Sequence, residues 1–91
     1  MARVAKRIFY EGKVQGVGFR FTIRQISREY DVTGTVKNLA DGRVELALAG
    51  EDTEVEAFMQ GVRESVLAGH IKKEDIEVSP LQEFRGFQII E

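Results

Sequence analysis

The chain of 91 residues has no cysteine and no tryptophan, a single proline and a single histidine. Without cysteine there is no disulfide, no thiolate nucleophile and no zinc site of the cysteine type. His70, the single histidine, is the one candidate base for a Ser-His-Asp or Cys-His centre, and no G-x-S-x-G elbow accompanies it, so neither centre is expected. No run of 18 apolar residues occurs, which excludes a membrane-spanning helix. The basic segment Met1 to Arg7 is not followed by an apolar stretch with a small-residue cleavage site. No secretion signal is therefore read, and a cytoplasmic location is expected. A formal charge of −2 gives no general attraction for nucleic acid, so any bound anion has to be held by local groups.

What is present is ordinary for a folded domain: 43% apolar and 31% charged residues, with no repeats, linkers or low-complexity tracts. One domain over residues 1–91 is expected. Apolar alternation predicts a first strand from about Val4 to Val14. A helix follows from about Arg20 to Tyr30, with Phe19, Ile23, Ile26 and Tyr30 spaced along one face. Val32 to Leu39 and Arg43 to Ala49 read as two strands, joined through Ala40-Asp41-Gly42, a strong hairpin signal. Thr53 with Glu56 predicts a capping box opening a second helix. Val55, Phe58, Met59, Val62 and Val66 form its buried stripe, and Ala68-Gly69 is its expected end. Ile76-Glu77-Val78 and Phe84 to Ile90 supply one or two further strands, with Pro80 kept out of any central ladder. The order β-α-β-β-α-β predicts an α+β, ferredoxin-like sandwich, an antiparallel sheet with both helices on one face. That architecture hosts many functions, so function has to come from a site.

The stretch V-Q-G-V-G-F-R, Val14 to Arg20, lies at a strand-to-helix junction, where backbone amides converge at the positive end of the helix dipole. It contains none of the usual N-cap residues, and an arginine stands where an acidic residue is favoured. Gly16 and Gly18 permit close approach of the backbone, while Val17 and Phe19 are expected to anchor the loop. An arginine in that position costs about 0.3–1 kcal/mol beside bare amides. With a phosphate in the cradle, the same guanidinium supplies a forked, charge-assisted contact. A Walker A loop ends in Gly-Lys-Ser/Thr and is excluded by Gly-Phe-Arg; the dinucleotide fingerprint fails at Phe21, where it requires glycine. Asn38, the only asparagine, falls late in a strand within G-T-V-K-N-L-A-D-G, Gly34 to Gly42. Its carboxamide can hold a water in fixed orientation, or it can serve only the adjacent turn.

Other polar clusters read as structural. His70 suits the end of a helix, Glu51, Asp52, Glu54 and Glu56 suit the start of one, and Lys72-Lys73 is a solvated pair. Arg85-Gly86-Phe87 matches the opening of the aromatic motif of RRM domains, but Gln88, Ile89 and Ile90 break it, so RNA binding is not expected.

V-Q-G-V-G-F-R followed by G-x-V-x-N-x-x-D-G resembles the acylphosphatase family over essentially the whole chain. The resemblance implies the same ferredoxin-like fold and hydrolysis of the carboxyl–phosphate bond of acyl phosphates, without metal or cofactor. It places the phosphate-binding loop on Gln15, Gly16, Val17, Gly18 and Phe19, the phosphate-binding arginine on Arg20 and the water-orienting asparagine on Asn38. The implied partners are a small acyl phosphate and inorganic phosphate as product and inhibitor, with no nucleic acid, no membrane and a monomer by default. Thr35 departs from the family where an aromatic residue is common, and Tyr10 is larger than the usual aliphatic residue. The rival reading is a non-catalytic anion-binding module on the same fold, such as a regulatory ligand-binding domain.

Overall fold

The structure, a computed structural model, describes residues 2–82 and 84–90. Its elements are β1 (Arg3–Gly12), α1 (Phe19–Ser27), β2 (Val32–Asn38), β3 (Val44–Glu51), α2 (Asp52–Arg63), a short 3-10 helix (Val66–His70), β4 (Ile71–Ser79) and β5 (Phe87–Ile90). Strand order across the sheet is β4-β1-β3-β2-β5. The first four strands form the expected antiparallel, ferredoxin-like arrangement. The fifth makes the sheet mixed, because β5 pairs with β2 in parallel, Gly34 opposite Phe87 through Lys37 opposite Ile90. Direction follows from topology: β4 and β2 run oppositely, so a chain that turns back after β4 comes alongside β2 in the same sense. Gly34 donates its amide to Gly86 O at 2.9 Å, and a β-carbon there would collide with Ala47 O of β3 and crowd the Phe87 ring of β5.

Both helices lie on one face and touch each other, with the Tyr30 and Phe58 rings edge to face at 5.8 Å. The alternation read in β3 is realised: Val44, Leu46 and Leu48 are wholly buried, facing Phe19 and Ile23 of α1 and Val55, Phe58, Met59 and Val62 of α2 in one core. Each such side chain contributes about 1.5–3 kcal/mol by leaving water. The Asp-Gly hairpin also forms, with Leu39 N donating to Arg43 O at 2.8 Å and the Asp41 carboxylate accepting from Arg43 N and Nε. Those bonds hold the Asp41 carboxyl below its usual pKa.

Several boundaries differ from expectation. β1 stops at Gly12 rather than Val14, because the ladder shifts register after Glu11 and Lys13 N turns instead to His70 O at 3.0 Å. α1 spans Phe19 to Ser27, and its chain continues in a tightened turn in which Tyr30 N bonds Ser27 O, which keeps Tyr30 on the core side. The Thr53–Glu56 capping box does not form. β3 runs directly into α2, so Glu51 takes the N-cap place without a side-chain bond, and Glu56 pairs with Lys6 of β1. Asp52 and Glu54 then meet the positive helix end by charge. Val66 is not in the buried stripe: α2 ends at Arg63, leaving Val66 82% exposed and Leu67 buried in its stead. Ala68 and Gly69 fall in the 3-10 helix, whose start is capped by Ser65 Oγ accepting from Leu67 N at 3.1 Å.

Candidate active site

The loop between β1 and α1 is built from three kinds of residue. Val14 and Phe19 anchor it, both buried, with Phe19 tilted against the Tyr10 ring of β1 at 5.4 Å. Tyr10, the departure noted in the sequence, thus fills the floor beneath the loop. Gly16 and Gly18 turn it, at φ +79° and +74°, the left-handed region that side chains resist. Apart from the adjoining chain, no heavy atom lies within 4 Å of where a β-carbon would stand at either glycine, so conformation, not crowding, requires them. Val17, expected as an anchor, is 44% exposed instead; Val14 does that work.

Gly18 is the N-cap of α1 in left-handed conformation, and no side chain caps the helix. The first turn contains no acidic residue. Gly18 O accepts the first helical bond, from Thr22 N at 3.0 Å, and among the described residues no protein acceptor meets the amides from Gly16 to Phe21. The open amides inferred from the missing cap residues are present as such.

Arg20 stands in that first turn, half-buried, with one guanidinium nitrogen donating to Ile90 O of β5 at 3.1 Å. A guanidinium carries five N–H donors, so this tether fixes the group and leaves others for a ligand. Asn38, the last residue of β2, is exposed. The two meet: Gly16, Gly18, Phe19, Arg20 and Asn38 line one cleft of about 240 Å³ together with Val14, Phe21 and Ile89. No acidic residue is among these. Gln15 belongs to the loop, but its side chain turns away to the hairpin, where Nε2 donates to Leu39 O at 2.8 Å and Arg43 O at 2.9 Å.

Phe21 and Ile89 were not picked out from the sequence. Phe21 carries a signal: it is apolar, lies off the Phe19–Ile23–Ile26 stripe, and is 58% exposed on a helix whose other apolar residues pack inward. Ile89 shows no comparable sign, since its place depends on the parallel pairing of β5. His70 lends its backbone carbonyl to the loop start and is not among the residues that line the cleft.

Comparison with known proteins shows the family. The family model for acylphosphatase matches residues 6–89. An acylphosphatase of Acaryochloris marina is 39% identical over 87% of this chain and 85% of the relative, and one of Archaeoglobus fulgidus is 31% identical over 94% and 97%. The crystal structure of acylphosphatase from Bacillus subtilis superposes with a TM-score of 0.87 at 29% identity, covering 97% of this chain and 99% of that one. The match takes in both motifs, the loop with its arginine and the strand end with its asparagine, and the chain belongs to the acylphosphatase family, enzymes that hydrolyse acyl phosphates.

Proposed function

We propose that the cleft binds the phosphoryl group of an acyl phosphate through the amides of the Gln15–Phe19 loop and the guanidinium of Arg20, and that Asn38 orients the attacking water. The observation that carries this reading is the convergence of Arg20, Asn38 and a helix start with unsatisfied amides on one small cleft. The chemistry asks for little else. A carboxylic acid has a pKa of about 4, so the departing carboxylate needs no general acid. Phosphoryl transfer through a loose transition state depends on positioning and on stabilising charge over the equatorial oxygens. Amides and a forked guanidinium do the second, and a carboxamide that both donates and accepts does the first.

The same reading makes inorganic phosphate, the product, a competitive inhibitor, and requires no metal or cofactor. On this reading residues 1–91 act as one domain, a monomer in the cytoplasm.

The test is steady-state hydrolysis of a generic acyl phosphate after treatment with chelator. Arg20→Ala and Asn38→Ala should each lower kcat by roughly a hundredfold or more, by analogy with lost oxyanion donors. Arg20→Ala should also weaken inhibition by phosphate, because its contact exists in the ground state, whereas Asn38→Ala should leave it nearly unchanged. Wild-type turnover at Asn38→Ala, or phosphate that fails to compete, would remove the reading. A binding module without catalysis would compete for phosphate yet show no turnover at all.

A further inference from the structure

We propose that the Gln15 side chain is a positioning residue for Asn38, a clasp that holds the β2–β3 hairpin at a fixed separation from the phosphate loop. The inference rests on the water-orienting role given to Asn38 above. Gln15 spends both protons of its carboxamide nitrogen on the hairpin, donating to Leu39 O at 2.8 Å and to Arg43 O at 2.9 Å. These carbonyls lie across the neck of the turn, since Leu39 N already donates to Arg43 O and Gly42 N to Leu39 O. Leu39 is the residue bonded to Asn38, and the β2–β3 ladder ends at Asn38 opposite Val44. Asn38 itself is exposed, and its side chain makes no hydrogen bond among the described residues. Its position is therefore inherited from the backbone of the hairpin neck. That neck is joined directly to the loop by Gln15.

The loop does not depend on the clasp in return. Val14 and Phe19 are buried beneath it, and Lys13 N is held by His70 O. Removing the clasp should leave phosphate binding nearly intact while letting the hairpin drift relative to the bound phosphoryl group. A displacement of about 1 Å at a reacting group can cost on the order of a hundredfold in rate. A split between kcat and phosphate affinity follows, which a loop that had merely lost its shape would not give.

Gln15→Met keeps length and volume without the donors, and Gln15→Asn keeps the amide one methylene too short to span both carbonyls. Both should lower kcat roughly tenfold to a hundredfold, with the inhibition constant for inorganic phosphate changed less than about threefold. Added to Asn38→Ala, Gln15→Met should slow turnover by less than about a further twofold, because both changes remove the same function. Gln15→Glu adds a pH signature. Its carboxylate faces two carbonyl oxygens, whereas the protonated acid regains one donor, so its rate relative to wild type should rise as pH falls toward the carboxylic range. Near-wild-type kcat in Gln15→Met and Gln15→Asn, kcat and phosphate affinity falling together, or losses that multiply with Asn38→Ala would each overturn the clasp. If Asn38→Ala alone retains full turnover, the underlying role of Asn38 fails; if it is slow while both Gln15 variants are fast, only the clasp does.

Discussion

Replacing Gly18 by alanine puts a methyl group on the residue that turns the chain into α1. The backbone there sits at φ +74°, ψ +20°, where an L-residue costs about 1–2 kcal/mol relative to glycine. Apart from the adjoining chain, no heavy atom lies within 4 Å of the new β-carbon, so no collision adds to that figure. The strain can appear in one of two places. If the loop keeps its conformation, the folded state carries it, reduced by about 0.4–1 kcal/mol because alanine also restricts the unfolded chain. The net loss, centred on about 0.8 kcal/mol and at most about 1.6 kcal/mol, lowers Tm by roughly 3–13 °C in a domain of this size. If the loop relaxes instead, Tm holds, the amides turn from the cleft, and phosphate binding weakens by the same 1–2 kcal/mol, roughly fivefold to thirtyfold. Thermal melts followed by circular dichroism, together with the inhibition constant for phosphate, measure both shares. An unchanged Tm with unchanged phosphate inhibition would refute the conformational reasoning. A fall in Tm well beyond about 20 °C would show that the space around Gly18 is not open.

Two further predictions concern stability. The Tyr10 hydroxyl is fully buried with no hydrogen-bond partner in geometry among the described residues, and burial, followed by the nearby Glu74 carboxylate, pushes its pKa up. Since an unsatisfied buried hydroxyl costs about 1–3 kcal/mol, Tyr10→Phe should leave stability to denaturant unchanged or raise it; a loss above about 1 kcal/mol would assign the hydroxyl a bond to Glu74. The Glu56 carboxyl is held below its ordinary pKa by its hydrogen bond to Lys6 and by the charge of that ammonium. A lowered folded-state pKa stabilises fully above the ordinary glutamate value, about 4.3, and the gain is lost as pH falls through the folded value. For so exposed a pair the gain is about 0.2–1 kcal/mol, so the Tm gap between wild type and Glu56→Gln should be present at neutral pH and close in acid. A gap independent of pH would contradict the pairing.

The sequence carried the parts of this fold that depend on neighbours in the chain. The 3.6-residue stripe of Phe19, Ile23 and Ile26, the alternation of Val44, Leu46 and Leu48, and the Asp41-Gly42 turn are local patterns, and the structure realises each. Where tertiary contact decides, the reading fell short. Thr53 and Glu56 have capping-box spacing, yet β3 enters α2 without a break, and Lys6 of a distant strand takes the glutamate. Val66 fits the helical period, but the helix ends before it. Parallel pairing of β5 is invisible locally, since it depends on the opposite senses of β2 and β4. The candidate site was legible because two motifs marked it, with Gly16, Gly18, Phe19, Arg20 and Asn38 brought to one cleft. The use of Gln15 as a link between loop and hairpin was not, since nothing in V-Q-G-V-G-F-R says where a carboxamide turns.

The sheet has two unequal rims. β4 carries Lys72, Lys73, Glu74, Asp75 and Glu77 along its length, charges that discourage a second molecule from adding a strand there. β5, at the other rim, reads Phe-Gln-Ile-Ile, short and without charge of its own. Its protection is borrowed from α1, where Arg24 Nε donates to Phe87 O and Arg20 donates to Ile90 O. The cation at the mouth of the cleft thus also guards the rim most open to strand-by-strand aggregation, tying the solubility of the molecule to a side chain that lines the cleft.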